Sequence, residues 1–108
     1  MLLTTTETVA YHEIQETLGM VRGSVIRAKH IGTDIIAALR NLVGGEVYEY
    51  TKLLSEARTQ ATDRMIRQAK HNGADAVICV RYATSMVMAG SSEILVYGTA
   101  VRLKPRTS

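Results

Sequence analysis

The stretch Tyr48-Glu49-Tyr50-Thr51-Lys52-Leu53-Leu54-Ser55-Glu56-Ala57-Arg58-Thr59-Gln60-Ala61-Thr62-Asp63-Arg64-Met65-Ile66-Arg67-Gln68-Ala69-Lys70-His71-Asn72 runs directly into Gly73-Ala74-Asp75-Ala76-Val77. Its reading decides the fold. Tyr50, Leu54, Ala57, Ala61, Met65 and Ala69 recur every three or four residues, which places them on one face of a helix. The residues between them are mostly charged or polar, with Lys52–Glu56 and Asp63–Arg67 as opposite-charge pairs at i,i+4 spacing. Lys70 and His71 fall in the last turn, where the helix dipole favours positive charge. Asn72-Gly73 supplies a left-handed stop. A helix of about 25 residues is about 37 Å long, which is long for one small domain. Its core face carries alanine at three positions, so it can lie close to a sheet or to another helix. Leu53 and Ile66 fall off that face, as exposed apolar residues or as part of a subunit contact.

Outward from the helix, Asp75–Ala83 reads as a buried strand. Strict alternation puts Val77, Cys79 and Arg81 on one face and Ala76, Ile78, Val80 and Tyr82 on the other. Thr84–Met88 extends it, Ala89-Gly90-Ser91-Ser92 is a turn, and Glu93–Leu103 returns as a hairpin partner that Pro105 stops. Upstream, Gly19–Ala28 reads as the first main strand, with Val21, Gly23 and Val25 on one side and Met20, Arg22, Ser24 and Ile26 on the other. Gly23 inside a strand marks a bulge or the close approach of another backbone. A short helix capped by Thr33 or Asp34 follows, with Ile35, Ile36, Leu39, Leu42 and Val43 as its apolar face and Gly44-Gly45 as its end. Leu2–Thr6 reads as a short edge strand and His12–Thr17 as a second. If the first main strand pairs with the third, it runs parallel to the second, and the helices form a right-handed crossover. The expected product is α+β: a β-α-α-β-β core plus short N-terminal strands, with a small, mostly antiparallel sheet and helices on one face.

Composition narrows the function classes. The 108 residues make one domain, spanning 1–108. With no Phe and no Trp, the core is aliphatic. The net charge of +3 is mild, and its basic residues are spread along the chain, which argues for a solvated surface over a nucleic-acid face. A single cysteine excludes an internal disulfide and, with no signal-like start, points to the cytoplasm. No apolar run is long enough for a membrane span.

At this point the residues resemble a known family. Gly19-Met20-Val21-Arg22-Gly23, Asp34-Ile35-Ile36-Ala37 with Arg40 and Gly44-Gly45, Tyr50 with Leu53-Leu54, Ala57-Arg58 and Ala61, Gly73-Ala74-Asp75-Ala76-Val77 and Tyr97-Gly98-Thr99-Ala100-Val101 are similar to the YbjQ-like family, in order along nearly the whole chain. The resemblance implies a two-layer, dodecin-like subunit and a homopentameric ring joined by added short strands, for which Leu2–Thr6 is the candidate. It also brings a heavy-metal-binding label; the residues leave the cofactor open, and a heavy-metal ion is suggested by the resemblance alone. Fold similarity alone does not establish such an activity.

The residues themselves give that label little purchase. Soft metals take several thiolate and imidazole ligands; the chain offers Cys79, His12, His30 and His71, none at a local ligand spacing. Cys79 and His30 are the candidate metal ligands, although packing is the favoured reading of a cysteine in an apolar strand. Met86 and Met88 share a strand face, where packing again outweighs a thioether site. Gly44-Gly45 lacks the residues of a phosphate loop. Asp34 is read as a helix cap rather than a partner for Arg40, and Arg58 is expected to bind a helix end or a carboxylate at a subunit contact, or to pair with Asp75. Tyr48, Tyr50, Tyr82 and Tyr97 pack in the core or line a pocket between subunits. No catalytic motif is present, and a Cys79 nucleophile is the least favoured reading. The preferred expectation is a non-enzymatic homo-oligomer that binds a metal ion or small ligand at subunit contacts; the alternative is a structural or partner-binding ring with no ligand.

Overall fold

The long helix forms where its periodicity places it. A computed structural model of the chain describes residues 1–27, 45–88 and 91–106, and for residues 27, 45–51, 53, 87, 88 and 91 it describes the backbone alone. Helix α1 covers Gly45–His71, starting earlier than Tyr48. Ala57, Ala61, Met65 and Ala69 are fully buried, and Leu54 packs against them. Gly73, at φ +81°, ends the helix. Its N–H donates to the Lys70 carbonyl and the Ala74 N–H reaches back to the Ala69 carbonyl, both at 3.0 Å. This is the double bond of a Schellman turn, and only a residue at ease with positive φ completes it. The short helix expected between Thr33 or Asp34 and Val43 lies outside the described residues.

Four strands form one mixed sheet in the order β1-β3-β4-β2: β1 (Leu2–Leu3), β2 (His12–Arg27), β3 (Ala76–Met88) and β4 (Ser91–Pro105). Central β4 is antiparallel to both neighbours, and β1 runs parallel to β3. The first main strand therefore pairs with the last, which fulfils the condition under which it runs parallel to β3. Several boundaries differ from expectation, and the expected Leu2–Thr6 strand is ladder-paired only at Leu2–Leu3. His12–Thr17 is not a separate strand but the start of β2, whose pairing with β4 shifts register between Ile14 and Glu16 and between Thr17 and Gly19. Gly19, at φ +107°, absorbs one of these irregularities, and the broken alternation makes one strand look like two. Ser91 and Ser92 belong to β4 rather than to the turn, and β4 continues as far as Pro105.

The faces of β2 are as the alternation predicts: Val21, Gly23 and Val25 are buried against α1, while Met20 and Ile26 are 68% and 61% exposed. The approach at Gly23 is between backbones. A Cβ there would collide with the Ala61 carbonyl oxygen and stand 2.6 Å from the Met65 amide nitrogen. Gly98 of β4 is similarly roofed, with Val77 Cγ1 2.6 Å and the Ile78 carbonyl oxygen 2.9 Å from where its Cβ would be. Side chains of α1 also close part of the β2 edge. Gln68 Oε1 accepts the Arg22 N–H at 2.8 Å, and the Arg64 guanidinium donates to the Ser24 carbonyl. Such caps blunt an edge that would otherwise pair with another chain.

Alternation fails in β3. Cys79 adopts φ +56°, and the register with β4 shifts between Ile78 and Arg81. The extra residue turns the parity over, so Val77 and Val80 both enter the core under α1, whereas Ala76 and Ile78 form a second cluster with Val101 on the opposite face. The expected grouping of Val77 with Cys79 is thereby corrected. The chain between β1 and β2 covers this second cluster with Val9 and clasps the bulge. Thr4 N–H donates to the Val77 carbonyl, and the Cys79 and Val80 amides donate to the Thr6 and Thr4 carbonyls, all at 3.0 Å. Arg81 Nη1 adds a bond to the Thr5 carbonyl at 3.0 Å.

The molecule is long for its thickness, 60 × 25 × 17 Å. Its radius of gyration is 17.5 Å, against about 13 Å for a compact domain of this length.

Candidate functional site

Helix α1 packs mainly on β2, less on β4 and least on β3. It sits off-centre because Gly23 lets its backbone settle onto β2. The other flank of the helix therefore overhangs β3 without touching most of it. An open groove of about 390 Å³ remains between them, lined by Ser55, Arg58, Thr59, Thr62, Asp63 and Tyr82. The five helical residues stand at spacings of one and three, a single polar stripe beside the alanine stripe.

Proton accounting defines what the groove offers. Thr62 Oγ1 donates to the Arg58 carbonyl at 2.8 Å. A hydroxyl has one proton, so in the 2.8 Å contact between Thr62 Oγ1 and Tyr82 Oη the tyrosine is the donor. Thr59 Oγ1 likewise donates to the Ser55 carbonyl at 3.2 Å. What is left facing outward is the Arg58 guanidinium, the Asp63 carboxylate, the Ser55 hydroxyl and the lone pairs of Tyr82. The guanidinium fork suits a carboxylate or phosphate, and Asp63 suits a donor such as an ammonium. Among the described residues the lining is Ser55, Arg58, Thr59, Thr62, Asp63 and Tyr82, a set suited to holding a polar ligand.

The ion pairs expected from the sequence do not form. Among the described residues the salt bridges are Arg102–Glu16 at 3.5 Å and Lys104–Glu13 at 3.6 Å, both across β2 and β4. Neither Lys52–Glu56 nor Asp63–Arg67 closes, and Arg58 does not reach Asp75. Asp75 instead accepts the Leu103 N–H through Oδ2 at 2.8 Å.

The expected metal ligands are not brought together within the described part of the chain. Cys79 lies in the β3 bulge, half-buried, with Sγ 3.8 Å from the Thr6 carbonyl and apolar neighbours on its other side. His30 lies outside the described residues. His12 holds the Ala10 carbonyl at 2.7 Å, and His71 is exposed at the end of α1. Among the described residues, no three His, Cys, Asp or Glu side chains gather closely enough to hold an ion. A lone thiol beside a carbonyl is a poor donor set for a soft metal. Sequence reasoning named Arg58 and Tyr82 separately as subunit-contact residues. It missed that Thr62 links them, which the i,i+4,i+7 run of hydroxyls at 55, 59 and 62 could have suggested.

Beside the groove, β3 from Arg81 to Met88 has no described strand on its outer edge. Tyr82 is 51% and Met86 75% exposed. No described helix is long and apolar enough to cross a membrane.

Comparison with known proteins places this geometry. A family model described as "Putative heavy-metal-binding" matches residues 1–104. The chain is 57% identical over 104 residues to a UPF0145 protein of Archaeoglobus fulgidus, covering 96% of each. It is 58% identical over 106 residues to one of Methanosarcina acetivorans, covering 98% of this chain and 100% of the relative. A UPF0145 protein of Thermus thermophilus is 54% identical over 105 residues, 97% of this chain and 92% of its own. The crystal structure of a protein of unknown function from the DUF74 family of Pediococcus pentosaceus superposes with a TM-score of 0.64, covering 96% of this chain and 98% of the other. At 17% identity that likeness speaks for the fold alone.

Proposed function

The chain belongs to the YbjQ family of UPF0145 proteins, and from that premise we propose that it is a non-enzymatic, self-assembling protein, pentameric by family resemblance, that takes a small polar ligand where subunits meet. The observation that carries this reading is the β3 edge, Arg81–Met88, which no described strand pairs with and which lies directly beside the groove of Arg58, Asp63 and Tyr82. An edge with unpaired backbone groups, exposed apolar side chains and no charge after Arg81 is a template for another chain. A copy docked there would roof the groove and take its polar groups out of bulk water, which strengthens the pairing of a ligand with Arg58. The elongated shape supports the same reading, because a subunit this extended buries little of its own surface. β1 pairs with β3 on one side and is itself an outer strand of the sheet, so the N-terminal strand remains a second element for a neighbour to pair with.

A second reading, a ring with no small ligand, is favoured by one observation: three of the groove hydroxyls already satisfy their protons internally. Metal binding through Cys79 and His30 is a separate expectation that rests on the family description. Native mass spectrometry of untagged protein, purified without chelator and then repeated with a soft divalent ion added, separates these. We expect a pentamer carrying a discrete extra mass that is lost in Arg58→Gln. A bare pentamer transfers the assignment to the ligand-free ring. A mass gain of one ion per subunit, abolished by Cys79→Ser, assigns the metal. A monomer at micromolar concentration overturns the assembly.

A further inference from the structure

Strand register brings together residues that the sequence keeps far apart. Arg22 of β2 pairs with Tyr97 of β4, and Tyr97 pairs on its other side with Arg81 of β3. Directly paired residues share a face. All three stand on the face turned away from α1, because their neighbours Val21, Gly23, Val80 and Val96 are buried against the helix. The ring of Tyr97 is 37% exposed, with a guanidinium-bearing strand to either side at about 5 Å spacing.

Tyr97 is partly open to solvent, and among the described residues no ion pair compensates this row. Toward the hairpin, the next row is Ser24, Leu95 and Ala83, two of them short; the one after is Ile26, Glu93 and Ser85. Glu93, the first carboxylate met in that direction, is therefore about 13 Å away along the strand, beyond the screening length at physiological salt. Neither Arg22 nor Arg81 forms an ion pair among the described residues. Arg81 uses Nη1 on the Thr5 and Val80 carbonyls, which holds the side chain while Nε and Nη2 keep their protons. Met20 borders the row.

We propose that this sheet face binds a nucleotide unit, with the base stacked on Tyr97 and phosphate oxygens on Arg22 and Arg81. An aromatic platform on an open sheet flanked by cations is the arrangement that takes an unpaired base and its backbone together. The overall charge of +3 is too mild and too dispersed to argue for this partner; the row of Arg22, Tyr97 and Arg81 carries the proposal. The unit is either a free nucleotide or one link of a single strand. The inference is independent of the groove reading and uses the opposite face of the sheet.

The test is a fluorescence-anisotropy titration of labelled oligothymidine with the whole protein at about 50 mM and about 200 mM salt, with unlabelled thymidine monophosphate as competitor. Subunit number is read in parallel by native mass spectrometry. We expect saturable binding that weakens about tenfold in Tyr97→Leu. Arg22→Gln should weaken it too and lower the salt slope by about one, while Lys104→Gln, remote from the row, leaves it unchanged. Competition by the monophosphate at similar concentration assigns a free nucleotide; competition by oligonucleotide alone assigns a single strand. No binding at the lower salt overturns the proposal. So does equal weakening by Lys104→Gln and Tyr97→Leu, which marks diffuse charge attraction. A change of subunit number in Tyr97→Leu or Arg22→Gln also overturns it, since the face is then a contact between copies.

Discussion

Gly23 and Tyr82 lie in one row of the sheet, separated only by Val96. They are about 10 Å apart, yet they meet opposite conditions. At Gly23 the backbone of α1 is so close that a single methyl group does not fit. At Tyr82 half of the side chain faces water, and its hydroxyl is held by one threonine of the same helix. One helix laid off-centre produces both. The difference teaches that the core and the candidate site are one design: every ångström by which α1 closes on β2 opens space over β3.

The largest expected effect breaks that contact directly. Gly23→Val puts a branched side chain against the Ala61 carbonyl and the Met65 amide. Backbone, not a flexible side chain, must move, so we expect loss of cooperative folding, read as absence of a urea transition by circular dichroism; overpacking by even one methylene typically costs about 1–3 kcal/mol. A variant that unfolds within about 1 kcal/mol of the parent would remove the close approach from the account. Next is Met65→Ala. Met65 is the largest fully buried side chain of the helix face, and its truncation should cost about 2–5 kcal/mol. Both measurements need a fixed protein concentration, because self-association adds to apparent stability.

A smaller effect separates the two sides of the bulge. Cys79→Val places a β-branched residue at φ +56° and should cost about 1–2 kcal/mol. Cys79→Gly relieves the same backbone but loses the side chain, so we expect it to be the more stable of the two by urea midpoint. The reverse order would show that the thiol's packing outweighs the backbone conformation. The smallest effect is on the open side of the row. Tyr82→Phe removes one exposed hydrogen bond and should cost less than about 1 kcal/mol. A larger loss would mean that the β3 flank is as tightly coupled to the core as Gly23 is.

The same row marks how far the sequence carries. Ala57, Ala61, Met65 and Ala69 were legible because a helix repeats its pattern with a fixed period, and nothing interrupts it over this length. Asn72-Gly73 was legible because positive φ selects glycine. Gly23 announced a close approach, though not which backbone would arrive. The strands were harder. Gly19 and Cys79 each mark an added residue, and one added residue reverses every face assignment beyond it. Cysteine carries no signal for such a conformation, so the grouping of Val77 with Cys79 failed there. The candidate site depends on pairing rather than on spacing. Thr62 with Tyr82, and Arg22 with Tyr97 and Arg81, become neighbours only once the order β1-β3-β4-β2 and its register are known.

The arm that carries Thr4, Thr5 and Thr6 has a further consequence, in time rather than in space. The bond from Cys79 to Thr6 joins positions 73 residues apart, and it requires β3 to have formed its bulge already. The arm lies over the sheet, held by five hydrogen bonds with β3, one of them through the Cys79 thiol, and by the side chain of Val9. Segments of this kind open without global unfolding. Each opening uncovers the single thiol of the chain, so the rate at which a cysteine reagent modifies the folded protein is a clock for the arm, and urea well below the unfolding midpoint should leave that clock nearly unchanged.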